Sequence, residues 1–303
     1  MPQEYHEAIA ENNRSTLLLF GIFIALIAVL GFFFGLYLGS EPLGLILTFA
    51  LGTAWGLVSW FAGDSIIMTV SGAKQVAKSE YPYLFNTVEG LAIAAGVPTP
   101  ELYVIEDPSP NAFATGRDPK HGKIAVTTGL LKIMDRDELE GVLAHEMSHI
   151  RNLDIRTMML AAVMVGIVSM LGNLFLRMML HSGGGGNKKG GNAILLVIGL
   201  VFIIASPFIA QAIRLAISRK REYLADASAV ELTRNPDGIK AALQKLLADH
   251  TPLQHANDAT SHLYIEDPVD KDKGFLKFLG GMFSTHPPLE SRIAKLDEYG
   301  KIG

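Results

Sequence analysis

Four long runs without a charged side chain place the strongest constraint on the fold of this 303-residue chain. The apolar part of the first run, Thr16 to Tyr37, would extend about 33 Å as a helix at roughly 1.5 Å per residue. That length is enough to cross the hydrocarbon core of a bilayer. The sequence therefore predicts four transmembrane helices, the others being Leu43 to Ala62, Thr157 to Leu176 and Ala193 to Ile213.

The acidic composition of the N-terminal residues indicates an uncleaved leader rather than a signal peptide. A signal peptide starts with basic residues and has a shorter apolar part that ends at a small-residue cleavage site. Here the first 14 residues instead carry Glu4, Glu7 and Glu11. We expect residues 1–14 to be a polar leader and residues 15–63 to form a transmembrane hairpin.

Basic residues predict which side of the membrane holds the soluble parts. Arg219, Lys220 and Arg221 closely follow the fourth run, and such clusters mark the cytoplasmic side. Four crossings place both termini on that side. They also place there a first soluble half, residues 64–156, and a second soluble half, residues 214–303, which a second hairpin, residues 157–213, would separate.

The first soluble half has the signals of a small α+β domain. A helical pattern from Glu80 to Ala95 stops at Gly96, and Asp135 with Glu138 forms a capping box that starts another helix. Short β-prone segments separated by Pro, Gly and Asp predict a small sheet. These segments are Leu102–Ile105, Asn111–Thr115 and Lys123–Thr127.

The second predicted helix carries a His-Glu-x-x-His motif. On a helix, His145 and His149 share one face at a spacing of four residues, so both can bind one metal ion while Glu146 lies beside it. The chain has no cysteine, so His, Asp or Glu must supply every ligand. The motif is typical of zinc hydrolases.

A catalytic zinc usually has three protein ligands, so one ligand remains to be found. Glu222 and Asp226 follow the fourth apolar run, again four residues apart. We expect Glu222 to be the third ligand. We expect Asp226 to accept the second ring N–H of a ligand histidine, with His145 as its partner. The simpler interpretations are a charge flanking the membrane for Glu222 and a solvated helix face for Asp226.

Five sequence blocks follow one another along the chain, namely Pro110–Gly116, Ala125–Leu131, Leu143–Asp154, Arg221–Asp226 and Ser284–Pro288. In this order they resemble the HtpX family of membrane zinc metalloproteases, which is related to the CAAX prenyl proteases. The resemblance implies a mainly α, multi-pass membrane protein with a zincin-like, gluzincin-type α+β catalytic domain. It implies that His145, His149 and Glu222 bind one zinc ion per chain and that Glu146 is the catalytic base.

Two further site elements are expected. His286, in a Thr-His-Pro-Pro turn, is a candidate donor to the oxyanion formed when a peptide carbonyl is attacked. The second predicted strand would pair with an extended substrate by main-chain hydrogen bonds, through Asn111, Ala112, Phe113 and Ala114. A plain turn residue at His286 and an ordinary Asx turn at Asn111 are the simpler alternatives.

The implied function is endoproteolysis of misfolded or damaged membrane proteins in the stress response, at a prokaryotic plasma membrane with a cytoplasmic active site. The partners would be polypeptides and the bilayer. The net charge of −4 gives no reason to expect nucleic acid. A specialised protease that processes lipidated or specific peptides remains open, as does an inactive membrane scaffold with a structural zinc. The oligomeric state remains open too.

Overall fold

The computed structural model describes residues 2–164, 219–253, 263–265 and 287–299. The strands are β1 (Lys74–Gln75), β2 (Glu101–Ile105), β3 (Ala112–Thr115) and β4 (Lys123–Thr127). The helices are α1 (Pro2–Leu38), α2 (Glu41–Val70), α3 (Pro82–Ala95), α4 (Thr128–Ile133), α5 (Arg136–Arg151), α6 (residues 154–164), α7 (Arg219–Thr233), α8 (Pro236–Ala248) and α9 (Leu289–Tyr299).

Helices α1 and α2 form the predicted hairpin. They are the two helices in the described part of the chain that are long and apolar enough to cross a bilayer. Glycines let them approach closely, because a Cβ at Gly44 would lie 2.2 Å from the Cα of Gly35. The expected leader is not separate from the first span, since α1 is one helix from Pro2 to Leu38.

The surface of α2 is the kind that a bilayer covers. Only 6% of its apolar window is buried, and the side chains of Leu51 and Phe49 are 69% and 62% exposed. Soluble domains rarely expose an apolar surface that runs along most of a 30-residue helix, as it does here. Only the start of the third predicted span, residues 157–164, is described, and it is helical. The rest of that span and the fourth span lie outside the described residues.

The three predicted strands are present, with small changes at their ends. Together with β1 they form a four-stranded sheet in the order β1-β2-β4-β3. Strands β2 and β4 are parallel, whereas β3 runs antiparallel to β4 and forms an edge of the sheet. Strand β1 was not predicted, because two residues, Lys74 and Gln75, are too few to carry an alternating pattern.

Helix α5 is the centre of the soluble core. Its predicted capping box is confirmed, since Asp135 accepts hydrogen bonds from the backbone N–H groups of Asp137 and Glu138, and Glu138 accepts from Asp135 N–H at 2.7 Å. Every residue from Gly141 to Ile150 is buried. The helix packs against β3, α3, α7 and α8, so the residues it carries are held on several sides.

The membrane hairpin and the soluble core are joined by buried contacts. Lys123 on β4 reaches Asp64 near the end of α2, with Nζ 3.1 Å from Oδ2. One apolar cluster contains Leu19 of α1, Phe113 of β3 and Met159 of α6. The sheet therefore packs directly on the helices that the apolar pattern assigns to the membrane.

The two C-terminal helices begin at signals that the sequence contains. Asn235 caps α8 by accepting a hydrogen bond from Gly238 N–H at 3.3 Å, and Pro236 occupies its first turn. Helix α9 begins at Leu289, two residues after Pro287. Both helices pack against each other and close the soluble core beside α7.

A glycine at the contact between α5 and α8 should be essential for packing. A Cβ on Gly141 would lie 2.6 Å from the backbone N of Ile239, so we expect Gly141→Ala to force these helices apart. The expected loss is about 1–3 kcal/mol of unfolding free energy, measured by denaturant titration of the purified protein. Gly90→Ala is the control, because nothing lies within 4 Å of a Cβ at this exposed position of α3, where alanine favours the helix. Equal stability of the two variants would contradict this packing argument.

Candidate metal centre

Three buried side chains converge where α5 meets α7. His145 Nε2 lies 3.1 Å from His149 Nε2 and 3.5 Å from Glu222 Oε2, and His149 Nε2 lies 3.7 Å from Glu222 Oε1. Ligands on a tetrahedral ion with bonds of about 2.0–2.1 Å would be roughly 3.3 Å apart. The predicted ligand set is therefore brought together at a spacing that suits a single small cation.

Each histidine presents Nε2 to this cluster because its other ring nitrogen faces a carboxylate. His145 Nδ1 lies 3.0 Å from Asp226 Oδ1, which is the partner that the sequence predicted. His149 Nδ1 lies 2.9 Å from Asp154 Oδ2. A carboxylate in this position holds the proton on Nδ1 and leaves the Nε2 lone pair free for a metal ion.

Sequence reasoning missed Asp154. The residue follows the end of α5 after a turn in which Leu153 adopts a positive φ of 62°, and it begins α6. The turn brings its carboxylate back towards His149, the last histidine of the motif. A usable signal was present, because an acidic residue shortly after a ligand helix is well placed to accept a hydrogen bond from its last histidine.

Sequence reasoning also missed Arg292, whose side chain is 0% exposed. Its Nη2 and Nε donate to the two oxygens of Asp226 at 2.6 and 2.9 Å, and Nη1 lies 3.7 Å from Glu222 Oε2. The residue lies on the same face of α9 as the buried Leu289 and Leu296. A charged residue at a position of the apolar stripe was the available signal.

The charges around the cluster fit a divalent cation. Four buried carboxylates surround it and two buried guanidinium groups contact these carboxylates, which leaves two negative charges uncompensated when all are ionised. Buried charge without compensation is strongly unfavourable. A divalent ion held by neutral imidazoles would bring the net charge of these buried groups to zero. The carboxylates are Glu146, Asp154, Glu222 and Asp226, and the cations are Arg221 and Arg292.

The surroundings shift the pKa values of the site residues. Burial and the charge of Arg292 lower the pKa of His145, but hydrogen bonds to Asp226 and Glu222 outweigh them and raise it to about 9 in the metal-free protein. Burial would raise the pKa of Asp226, yet Arg292 and His145 bring it down to about 2. For Glu146, burial raises the pKa, which moves this carboxylate towards the range of a general base.

The predicted substrate strand lies at the sheet edge but is covered by the chain itself. Thr127 N–H donates to Asn111 O, so by alternation the backbone groups of Ala112 and Ala114 face away from β4. Ala112 O accepts from the N–H of Ile265 at 3.0 Å, and Tyr264 packs edge-on against Phe113. Asn111 Oδ1 accepts from Ala112 N–H, so this side chain stabilises the local backbone. His286 lies outside the described residues.

Known proteins resemble nearly the whole chain. Residues 78–300 match Peptidase family M48. A "Protease HtpX homolog" from Dictyoglomus thermophilum is 43% identical over 300 residues, covering 99% of this chain and 96% of the relative. One from Streptococcus gordonii is 44% identical over 296 residues, covering 96% and 98%. The crystal structure of Ste24p from S. mikatae matches with a TM-score of 0.50 at 19% identity, covering 89% of this chain and 62% of that chain, which indicates a shared fold.

Metal affinity should increase with pH. The protonated form of His145 carries a hydrogen on Nε2, where a metal ion would bind, so the ion must displace that proton. Because the pKa of His145 in the metal-free protein is about 9, we expect affinity to rise from pH 6.5 to about pH 9. The rise is about tenfold per pH unit for one displaced proton. Calorimetry in buffers of different ionisation enthalpy would count the protons released. A constant affinity across this range would contradict the argument.

Proposed function

Since this chain belongs to peptidase family M48, we propose that its metal centre holds zinc and that Glu146 is the base for cleavage of peptide bonds in membrane proteins. The predictions of the HtpX family and of a membrane metalloprotease are confirmed by this family match and by the curated relatives. The metal identity, the role of each residue and the substrates are the proposal.

The buried cluster of His145, His149 and Glu222 is the observation that carries the proposal. Their ligand atoms all lie within 4.8 Å of one another. Two imidazoles and one carboxylate are the ligand set of many catalytic zinc sites, and the absence of thiolates is consistent with this class. Imidazole ligands also suit copper, iron and nickel, but a glutamate placed directly after the first histidine, as in His-Glu-x-x-His, is typical of zinc hydrolases, so we favour zinc.

The chain's own residues supply the rest of the chemistry. A cation bound at the three ligands would polarise the peptide carbonyl and acidify the attacking water. Glu146 accepts a proton from that water and later delivers it to the leaving amine. Its raised pKa favours the first step, because a carboxylate that is too acidic takes up a proton poorly. Asp226 and Asp154 hold the two imidazoles in one orientation throughout.

Substrate would pair with the outer edge of β3. The outward backbone groups of Ala112 and Ala114 are the ones that an extended peptide would contact, in a form of strand addition that reads shape more than sequence. Part of this edge is now held by Ile265, so an incoming peptide must displace that contact or pair next to it. The packing of β3 on α5 supports this choice of strand.

The four-crossing topology, the cytoplasmic orientation and the role in quality control are part of the proposal. Support comes from the exposed apolar surface of α2 and from the contact of α1 with the soluble core. A site that lies where membrane helices enter the bilayer can reach segments of damaged membrane proteins. The alternative of a structural zinc would call for a fourth protein ligand. Among the described residues the cluster has three.

Removing the base should separate catalysis from metal binding. Glu146→Gln keeps the shape of the side chain, so we expect about one metal ion per chain to remain while cleavage of an unfolded protein such as casein falls at least about 100-fold. Glu222→Ala should instead lose the metal. Both would be measured by metal analysis and by peptide release from purified protein.

Glu140→Gln on the same helix is the matched control, because this glutamate lies outside the metal cluster. It should retain both metal and activity. Cleavage by Glu146→Gln at the wild-type rate would exclude Glu146 as the base, and full metal occupancy in Glu222→Ala would exclude the three-ligand assignment.

His286 should affect catalysis without affecting metal content. It directly precedes the described Pro287, and Arg292, six residues further on, contacts the metal cluster. If His286 donates to the oxyanion, His286→Ala should lower kcat by about 100- to 1000-fold with little change in KM. Steady-state kinetics with a fluorogenic peptide would measure this. An unchanged kcat would leave His286 as a turn residue.

A further inference from the structure

Asn12 of helix α1 lies buried beside the metal centre, although the sequence places it in the polar leader. Its side chain is 1% exposed. The amide Nδ2 donates to Asp154 Oδ1 at 2.7 Å and to Asn152 O at 2.8 Å. Residue 12 also lies well before residue 78, where the match to the peptidase family begins.

The same amide also contacts the other half of the site. Asn12 Oδ1 accepts a hydrogen bond from Nη1 of Arg221, the residue directly before Glu222. Arg221 in turn lies 3.5 Å from Asp154 Oδ1. One side chain from the first membrane helix therefore joins the start of α6 to the first turn of α7.

Asp154 divides its two oxygens between Asn12 and a ligand. Oδ2 faces His149 Nδ1 at 2.9 Å, and Oδ1 accepts from Asn12 at 2.7 Å. A carboxylate held at both oxygens has a fixed rotation about its Cβ–Cγ bond. Without Asn12, the other described contact of Oδ1 is Arg221 at 3.5 Å, which is too long to orient the group well.

We propose that Asn12 is a positioning residue that acts through Asp154 on the metal ligand His149. The inference rests on the proposed metal centre and extends it to the first membrane helix. Partners of ligand histidines tune metal affinity because they fix the ring orientation and raise its basicity. Asn12 contacts Asp154, which in turn contacts His149, so Asn12 controls the orientation of the carboxylate that holds the ring.

Helix α1 is thereby coupled to the metal centre. Its next turn is held as well, since Thr16 Oγ1 lies 3.2 Å from Thr157 Oγ1 of α6. A shift of α1 along α6 would therefore change the position of Asp154. The simpler alternative is that Asn12 only donates a hydrogen bond to the carbonyl of Asn152. Carbonyl groups at the end of a helix such as α5 need a partner from outside the helix. That role would stabilise the fold without acting through Asp154.

A double-mutant cycle on the full-length protein separates these roles. Zinc affinity would be measured by competition with a chromophoric chelator for wild type, Asn12→Ala, Asp154→Ala and the double variant. We expect Asp154→Ala to weaken zinc binding by about 10- to 100-fold. Asn12→Ala should weaken it by about threefold to tenfold, because Asn12 affects His149 only through Asp154. In the Asp154→Ala background, Asn12→Ala should have no further effect.

Two results would overturn the inference. Wild-type zinc affinity in Asn12→Ala would show that the contact is not used, and the same loss in both backgrounds would show that it does not act through Asp154. Asn13→Ala is the matched control, because this neighbouring asparagine is exposed and its contact is with Arg156 at 3.5 Å. It should bind zinc as wild type does.

Asn12→Leu guards against a simple folding defect. It retains the side-chain volume but has no donor, so it should weaken zinc binding as much as Asn12→Ala, whereas a purely volume-based role predicts wild-type affinity. The proposed metal centre is tested separately by Glu222→Ala. If that variant binds zinc normally, the centre itself is wrong. If it loses zinc but Asn12→Ala does not, only the inference about α1 fails.

Discussion

Compensation of buried negative charge is the constraint on which the rest of this structure depends. Four carboxylates lie within the core where α5, α6 and α7 meet, and removing an ionised carboxylate from water is costly unless partners replace the lost hydration. Two arginines neutralise half of that charge. The remaining charge can be compensated by a divalent cation or, in its absence, by protons on the site residues, so the fold and the metal centre cannot be considered separately.

The elements are arranged to bring these partners together from distant parts of the chain. Helix α5 carries both histidines on its buried face, and α7 brings Glu222 and Asp226 to the same place after the chain has passed through two apolar runs. Arg292 arrives from α9, close to the C-terminus. Helix α7 packs on α5, and α9 packs on α7 and α8, so displacement of either α7 or α9 leaves a buried charge without its partner.

Local sequence signals predicted most of the described elements and most of the side chains that meet at the centre, but not Asp154 or Arg292. The capping box at Asp135, the glycine stop at Gly96 and the histidine spacing of four residues each depend on neighbours within one or two turns, so they can be identified without the fold. Arg292 and Asp154 depend on which helix packs against which. Their roles arise from contacts between distant segments, such as the 66 residues that separate Asp226 from Arg292, and local periodicity contains no such information.

The polar leader shows how far this dependence reaches. The sequence predicts that the residues at the start of α1 are solvated, since acidic and amide side chains before an apolar span usually face water. In the fold, however, Asn12 sits between Asp154 and Arg221, two charged groups that are themselves buried. A fragment without α1 would leave these groups short of hydrogen bonds, at a cost of about 1–3 kcal/mol for each unsatisfied group. The site is therefore incomplete without α1, and this helix, although apolar enough to cross a bilayer, also contributes to the packing around the metal cluster.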